Sequence, residues 1–235
     1  MRCYFSRLIV AFSLLNSLSA QSNGVVVGGK WPSQIFISDI NGRPFEHRFD
    51  DVNGTPYFHA DFKYADITLK QGRKFVQVKT KINLVTQEVI FESANGIEGY
   101  IDAGVAKEIT YADTTSEGVT LYKFQTGYPA IDRQTEKNFY QVLIEGRCGL
   151  LKSVVKKVIE RKNELSGEVL KEFETIENIY LFAKGEMKRL KKDKDFILSI
   201  LADKEQEVAR YSTENKTSFK NIDQVGQLLR YYNSL

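Results

Sequence analysis

A two-residue alternation of side chains is the feature that most constrains the fold of this chain. Between positions 76 and 84 every second residue is Val, Thr, Ile or Leu, and the residues between them are Gln, Lys and Asn. A strand with this period buries one face and leaves the other in water, as antiparallel sheets allow. The pattern predicts that Val76, Val78, Thr80, Ile82 and Leu84 all point into the core.

The same strand period recurs along the chain as far as residue 182. Further strands are predicted over residues 66–70, 89–91, 99–101, 106–111, 120–125, 139–145 and 176–182. Turn-forming residues cluster at 93–96, 112–118 and 127–133, and the last strand ends at the turn Lys184-Gly185-Glu186. Strands at this spacing, with no helices between them, indicate a meander of hairpins rather than βαβ units.

Residues 147–175 fit two structures. The apolar residues at 150, 151, 154, 155, 158 and 159 repeat about every four positions, which favours a helix. Those from 154 to 159 are all β-branched, which favours a strand, and Gly146 and Gly149 suit a hairpin with a bulge. The residues alone leave both structures open for 150–162.

The period changes to a helical one near the C-terminus. A first helix is predicted from Asp193 to about Asn215, with one apolar face: Phe196, Ile197, Ile200, Leu201, Val208 and Tyr211. A second helix is predicted to start at Asn221, whose side chain can cap it, with Gln224 at capping-box spacing. Strands followed by helices are typical of an α+β domain.

Four segments follow from these patterns. Residues 1–20 are predicted to be a signal peptide and residues 21–56 an irregular N-terminal arm. Residues 57–190 are predicted to form a mostly antiparallel β-meander, as a curved sheet or a partly open barrel. Residues 191–235 are predicted to hold two C-terminal α-helices that pack on the sheet as one globular unit with it.

The first twenty residues have the order of a secretory signal peptide. Arg2 and Arg7 precede the apolar run at 8–15, and small residues precede the expected cleavage site after Ala20. The mature protein is therefore expected to be exported, either periplasmic or secreted, with no transmembrane segment. Its formal charge falls from +3 to +1 because residues 1–20 contain two arginines and no acid. Only Cys148 remains, so no internal disulfide can form, and a small buried hydrophobe is its expected role.

The common catalytic and ligand-binding motifs are not found in the sequence. The nucleophile elbow, the phosphate-binding loop and the dinucleotide fingerprint do not occur. His59 with Asp61 is a conceivable metal-ligand pair, although an exposed loop fits it better, and Asp50, Asp51 and Asn53 miss the spacing of a calcium loop. No catalytic, cofactor-binding or metal-ligating residue is predicted, and the small basic excess argues against nucleic acid as a partner.

A basic run lies where the last strand meets the first helix. It consists of Lys184, Lys188, Arg189, Lys191, Lys192 and Lys194. Such a run forms either an ordinary solvated face or a patch for an anionic partner such as lipid headgroups or polysaccharide. Asp193 and Asp195 lie within the run and reduce its net charge.

Four segments occur in a characteristic order: Gly54-Thr55-Pro56-Tyr57-Phe58, KTKINLVTQEVIFE over 79–92, FYQVLIEGRCGLLK over 139–152, and the stretch from Tyr180 to Tyr231-Tyr232-Asn233-Ser234-Leu235. Their order resembles a family of uncharacterised exported bacterial proteins common in Bacteroidota. The resemblance covers about residues 54–235. It implies a periplasmic or secreted β-rich domain closed by C-terminal helices, and it tilts 150–162 towards a long strand. It implies no reaction.

Three functions remain compatible with the sequence. The leading hypothesis is a non-enzymatic binding or envelope-associated module, whose partner is an envelope protein, a lipid or a polysaccharide. The first alternative is a carrier that holds an apolar ligand such as a lipid in a β-lined cavity. The second is an enzyme with dispersed carboxylates, such as a glycosidase, whose two acids need no fixed sequence spacing.

Overall fold

In the part of the chain that the structure describes, one open and mostly antiparallel sheet is followed by three helices at the C-terminal end. The computed structural model describes residues 35–36, 49–93, 96–115, 118–162, 164 and 167–235. The predicted signal peptide and most of the predicted arm lie outside the described residues. The strands are β1 (Ile35–Phe36), β2 (Val52–Asn53), β3 (Lys63–Leu69), β4 (Lys74–Ile82), β5 (Val89–Glu92), β6 (Glu98–Ile101), β7 (Ala106–Thr115), β8 (Gly118–Gln125), β9 (Tyr140–Ile144), β10 (Cys148–Lys162), β11 (Val169–Ala183) and β12 (Glu186–Arg189). The helices are α1 (Lys194–Ile200), α2 (Glu205–Glu214) and α3 (Ile222–Ser234).

Hairpin connections dominate the topology. The sheet order is β1-β6-β5-β4-β3-β7-β8-β9-β10-β11-β12, and each neighbouring pair is antiparallel. Only β2 lies off this path, pairing in parallel with β11. The predicted α+β fold, an antiparallel meander followed by helices, is confirmed. None of the helices in the described part of the chain is long and apolar enough to cross a membrane.

One residue of β4 that the alternation predicts to point into the core is exposed instead. Ala65 pairs with Val78 whereas Ile67 pairs with Phe75, so β4 contains one extra residue, which is a β-bulge. Gln77 lies at the bulge with a φ of 52°, and its N–H donates to Asp66 Oδ1 at 2.9 Å. The prediction that Val76 points into the core is wrong, because the bulge leaves that side chain 48% exposed.

The ambiguous residues 150–162 lie in a strand, and burial explains part of the ambiguity. Every residue from Cys148 to Lys162 pairs with a residue of β11. The first half of β10 is covered on both faces: Leu150 packs against the helices, whereas Leu151 packs on the opposite side. A strand buried on both faces carries consecutive apolar residues and loses its two-residue period, which accounts for Leu150 and Leu151. Further along β10, Val158 is 38% exposed, so double burial does not explain that part of the helix-like pattern.

The sheet curls until its two halves touch. Val154 of β10 joins a core cluster made otherwise by residues from β3 to the start of β9, and Lys156 N–H donates to Leu84 O at 3.0 Å. The residues before β3 reinforce this contact. Lys156 Nζ donates to Thr55 O at 2.6 Å and to Tyr57 O at 3.1 Å. The inside of the curl is therefore filled with side chains.

The helical segment contains three helices rather than the two expected. A 3-10 turn over Ala202–Lys204 divides the predicted first helix into α1 and α2. Asn221 caps α3 as predicted, since its Oδ1 accepts from Asp223 N at 2.9 Å and from Gln224 N at 3.2 Å. The helices cover one face of β9 to β11 through buried residues: Ile144, Cys148, Leu150, Leu181, Ile197, Leu201, Val208, Val225, Leu228, Leu229 and Tyr232.

Asn233 fastens the end of α3 to the turn between β9 and β10. Its Oδ1 accepts from Cys148 N at 2.9 Å, and its Nδ2 donates to Glu145 O and to Cys148 O, each at 3.0 Å. Gly146 in this turn has a φ of 137°, and a Cβ there would lie 2.4 Å from Asn233 Cγ. The close approach of helix and turn therefore requires glycine at position 146.

We predict that Asn233→Ala lowers the free energy of unfolding by about 2–3 kcal/mol, because it leaves one backbone N–H and two carbonyls without these bonds. Asn215→Ala is the matched control. Asn215 Nδ2 donates only to Tyr211 O on an exposed helix end, so its loss is expected to be below about 1 kcal/mol. Urea denaturation of both variants measures the difference, and equal losses would contradict the role given to Asn233.

Candidate functional site

The hairpin of β11 and β12 positions the predicted basic residues. Lys184 and Gly185 form a two-residue turn with φ values of 53° and 80°, which matches the twist of the flanking strands. Ala183 pairs with Glu186, and Leu181 pairs with Lys188. Since side chains alternate along a strand, Glu186 and Lys188 lie on the face that the helices cover, and Met187 and Arg189 lie on the opposite face.

The pleat of β12 divides the predicted basic run. Arg189 is directed away from the helices, where its Nη1 lies 3.7 Å from Asp132 Oδ2 and its Nη2 donates to Asn178 Oδ1 at 2.5 Å. The remaining five residues are all exposed: Lys184 lies in the β11–β12 turn, Lys188 in β12, and the other three where β12 leads into α1. We call these five the basic end: Lys184, Lys188, Lys191, Lys192 and Lys194.

The acidic residues nearby neutralise the basic end only in part. Residues 184–195 contain six basic and three acidic residues. Glu186 lies 3.5 Å from Lys188, and Asp193 serves as the cap of α1 by accepting from Phe196 N at 2.8 Å. Lys191 Nζ lies 5.4 Å from the centre of the Phe196 ring, a contact that holds the ammonium without neutralising it. A net positive charge is left at this end of the sheet.

A small cleft opens between the hairpin and α1. Its volume is about 160 Å³, which is below the range of roughly 300–1,000 Å³ of sites that enclose a whole small molecule. Apolar and charged side chains share its lining, which consists of Leu181, Ala183, Lys184, Glu186, Lys188, Ser199 and Ile200. The cleft therefore suits a single charged or polar group of a larger partner.

A cluster of tyrosines covers the opposite face of the same strands. Tyr140, Leu151 and Tyr180 are buried there, and Tyr128 and Phe182 pack against them. Tyr180 Oη donates to Asp132 Oδ2 at 2.9 Å. Burial raises the pKa of Tyr140 to about 12, and burial with the Asp132 bond raises the pKa of Tyr180. Both phenols stay protonated near neutral pH, so they act as packing groups.

Cys148 and His59 are both held in apolar surroundings. Cys148 is fully buried, and burial, followed by the Asp203 charge, raises the pKa of its thiol to about 12. It is a neutral thiol in the helix-facing core, as a small buried hydrophobe would be. The His59 ring packs against Phe58 and Tyr111 with ring centres 4.6 Å and 5.2 Å away.

The exposed-loop interpretation of His59 with Asp61 is wrong for His59. Its Nε2 is buried without a hydrogen-bond partner, and burial lowers the pKa of the imidazole, whereas Asp61 is exposed. Nor do His, Cys, Asp and Glu residues within the described ranges gather in any group of three that could hold a metal ion.

The two alternative functions, a lipid carrier and a glycosidase, each require a particular local geometry. Fifteen buried residues from β3 to β10 and the intervening loops pack together inside the curl. A lipid carrier would need its cavity at this place. Of the residues that the structure describes, none of the buried polar ones is Asp or Glu. A pair of buried carboxylates, which the glycosidase alternative needs, is not present among them.

The cleft was not predicted from the sequence. The alternation along β12 contained the information that separates Arg189 from Lys188, because neighbouring residues of a strand face opposite sides. Ser199 and Ile200 reach the cleft only because α1 lies beside the β11–β12 turn. No local signal in the sequence specifies that approach.

Comparisons of the chain with models of protein families, with curated proteins and with solved structures found no match. The resemblance to exported bacterial proteins therefore stays a prediction.

Proposed function

We propose that this chain is an exported, non-enzymatic binding module that holds an anionic partner at its basic end. The observation that carries the proposal is a set of five exposed lysines between the β11–β12 turn and the first residue of α1, two of which, Lys184 and Lys188, line the cleft between the hairpin and α1. The expected signal peptide over residues 1–20 supports export, and an envelope component is the class of partner that a periplasmic or secreted protein would meet.

The electrostatics favour a partner with several negative charges. An exposed lysine near an anionic surface contributes about 1 kcal/mol, and the attraction extends over a screening length of about 8 Å at physiological salt. The five lysines of the basic end are separated by at most ten positions in sequence and lie on one hairpin and the start of one helix. Their attractions would add on a polyanion, whereas a single small anion would engage one or two of them.

The packing favours this function over the two alternatives. A lipid carrier requires an apolar cavity, and the inside of the curl is occupied by core side chains. A glycosidase requires two acids held in a cleft, and the cleft beside β12 contains one acid, Glu186, with two lysines.

We predict that export removes residues 1–20. When the full chain is produced in a bacterium with a general secretion pathway, the protein in the periplasm or medium is expected to begin at Gln21 by intact mass and N-terminal sequencing. Leu14→Arg, which places a charge in the apolar run, is expected to leave the chain unprocessed inside the cell. A wild-type chain that keeps Met1 and stays in the cytoplasm would contradict export.

We predict that the double variant Lys184→Gln, Lys188→Gln binds anionic probes about thirtyfold more weakly than wild type, since it removes two charges at the cleft. Polyglutamate, polygalacturonate and phosphatidylglycerol vesicles serve as the probes, and binding is measured by biolayer interferometry. Raising the salt concentration is expected to weaken the wild-type complex as well.

The matched control is Lys70→Gln, Lys74→Gln, which removes the same charge from two exposed residues, one in the turn after β3 and one at the start of β4. It is expected to bind like wild type. Equal losses in the two double variants would show that only net charge matters, and binding to none of the three probes would contradict the proposed function.

A further inference from the structure

The outer edge of β12 carries backbone groups directed away from the sheet. Leu190 N–H donates to Ile179 O at 2.8 Å, and residues of an antiparallel strand alternate between bonding one neighbour and the other. The even-numbered residues of β12 therefore bond β11. The N–H and C=O groups of Met187 and Arg189 point outward, and no strand in the described part of the chain pairs with that side.

We propose that this edge binds an extended acidic peptide segment of a partner protein, which adds to the sheet as a further strand beside β12. The inference rests on the proposed function and names the class of anionic partner. Strand addition to an open edge supplies affinity through main-chain hydrogen bonds, and the alternate side chains supply specificity.

The charges on the two sides of the edge define the side chains that such a strand would carry. On the helix-facing side its residues would lie beside Lys188 and the mouth of the cleft, close to Lys184, which favours Glu or Asp. On the other side they would lie beside Met187, which packs with the tyrosine cluster, and Arg189, whose charge is already paired with Asp132. The fitting pattern is therefore acidic and apolar in alternation.

The same charges disfavour a second copy of this chain as the occupant. Edge-to-edge pairing of two β12 strands would bring the Lys188 of each copy into the same short stretch of sheet, and like charges on paired strands are destabilising. Lipid headgroups and polysaccharides offer negative charge but lack the regular N–H and C=O groups that the edge requires. An acidic peptide meets both requirements.

Lysines on a short edge strand also occur in proteins that keep such edges free of partners. If β12 is such a protected edge, no peptide binds to it in an ordered way. Binding experiments with a defined peptide therefore distinguish a protected edge from one that accepts a further strand.

The probe is an acetylated and amidated peptide of alternating Glu and Val, about six residues long as strands usually are. Two further versions carry N-methyl groups, one on every Val and one on every Glu. Each methylated version keeps the charge of the unmethylated peptide. Because the N–H groups of a strand point alternately to its two sides, only one of the two versions lacks the N–H groups that face β12. Titration calorimetry with the wild-type protein is expected to show at least tenfold weaker binding for one methylated version.

The protein variants are Met187→Pro and Met187→Ala. Both remove the thioether side chain, but only proline removes the outward N–H, and the bonds of β12 to β11 use its even-numbered residues. Met187→Pro is expected to bind the parent peptide several-fold more weakly than Met187→Ala. If the proline variant fails to fold, the methylated peptides decide the question with the wild-type chain.

Equal binding of the parent and both methylated peptides would overturn strand addition, as would binding of polygalacturonate or vesicles in place of the peptide. In either case, lysine-dependent binding of those probes would leave the proposed function intact. Absence of lysine-dependent binding to every anionic probe would instead reject the proposed function, and strand addition with it.

Discussion

The pairing of β10 with β11 is the interaction on which the rest of the structure depends. The two strands pair along fifteen residues each, and this hairpin is shared by all three clusters of buried side chains. One end of it supports the helices on one face and the tyrosine cluster on the other. Further along, Val154 reaches the core inside the curl and Lys156 meets the backbone at Leu84.

The docking of the helices on this hairpin determines which part of the sheet stays open. Asn233 and the surrounding bonds fix the end of α3 at the β9–β10 turn, and only four residues separate β12 from α1. The helices therefore cover the faces of β9 to β11, whereas the outer edge of β12 has no strand beside it among the described residues. Lys188 lies on this edge strand and Lys184 in the turn before it, so unpaired strand backbone and exposed positive charge lie side by side.

The sequence predicted the strands better than the orientation of particular side chains. Alternation is a local property, and it located the meander because one buried face is enough to produce it. It failed at Val76, where a bulge at Gln77 shifts the register by one residue. It was ambiguous at Leu150 and Leu151, where helices cover one face and tyrosines the other. The bulge and the double burial both depend on partners distant in sequence.

The basic end was predictable as a set of residues but not as a site. The run from Lys184 to Lys194 is visible in the sequence, but the pleat of β12 sends Arg189 to the far face, where Asp132 and Asn178 bind it. The cleft depends on the approach of Ser199 and Ile200 in α1 to a turn about fifteen residues earlier in the chain. Such an approach follows from helix packing on the sheet and has no signature in the local pattern.

The central claim, that the protein binds its partner at the open and basic edge of β12, is tested most directly by mapping where an anionic probe touches the folded chain. Backbone amide resonances of the isotope-labelled protein can be followed by NMR while polyglutamate is added. The account predicts that the largest changes in amide chemical shift occur at Met187, Arg189 and the lysines of the basic end. The amide resonances of residues 70–74, around the β3–β4 turn, are expected to stay unchanged. Largest shifts at that turn, or shifts spread evenly over the surface, would contradict it.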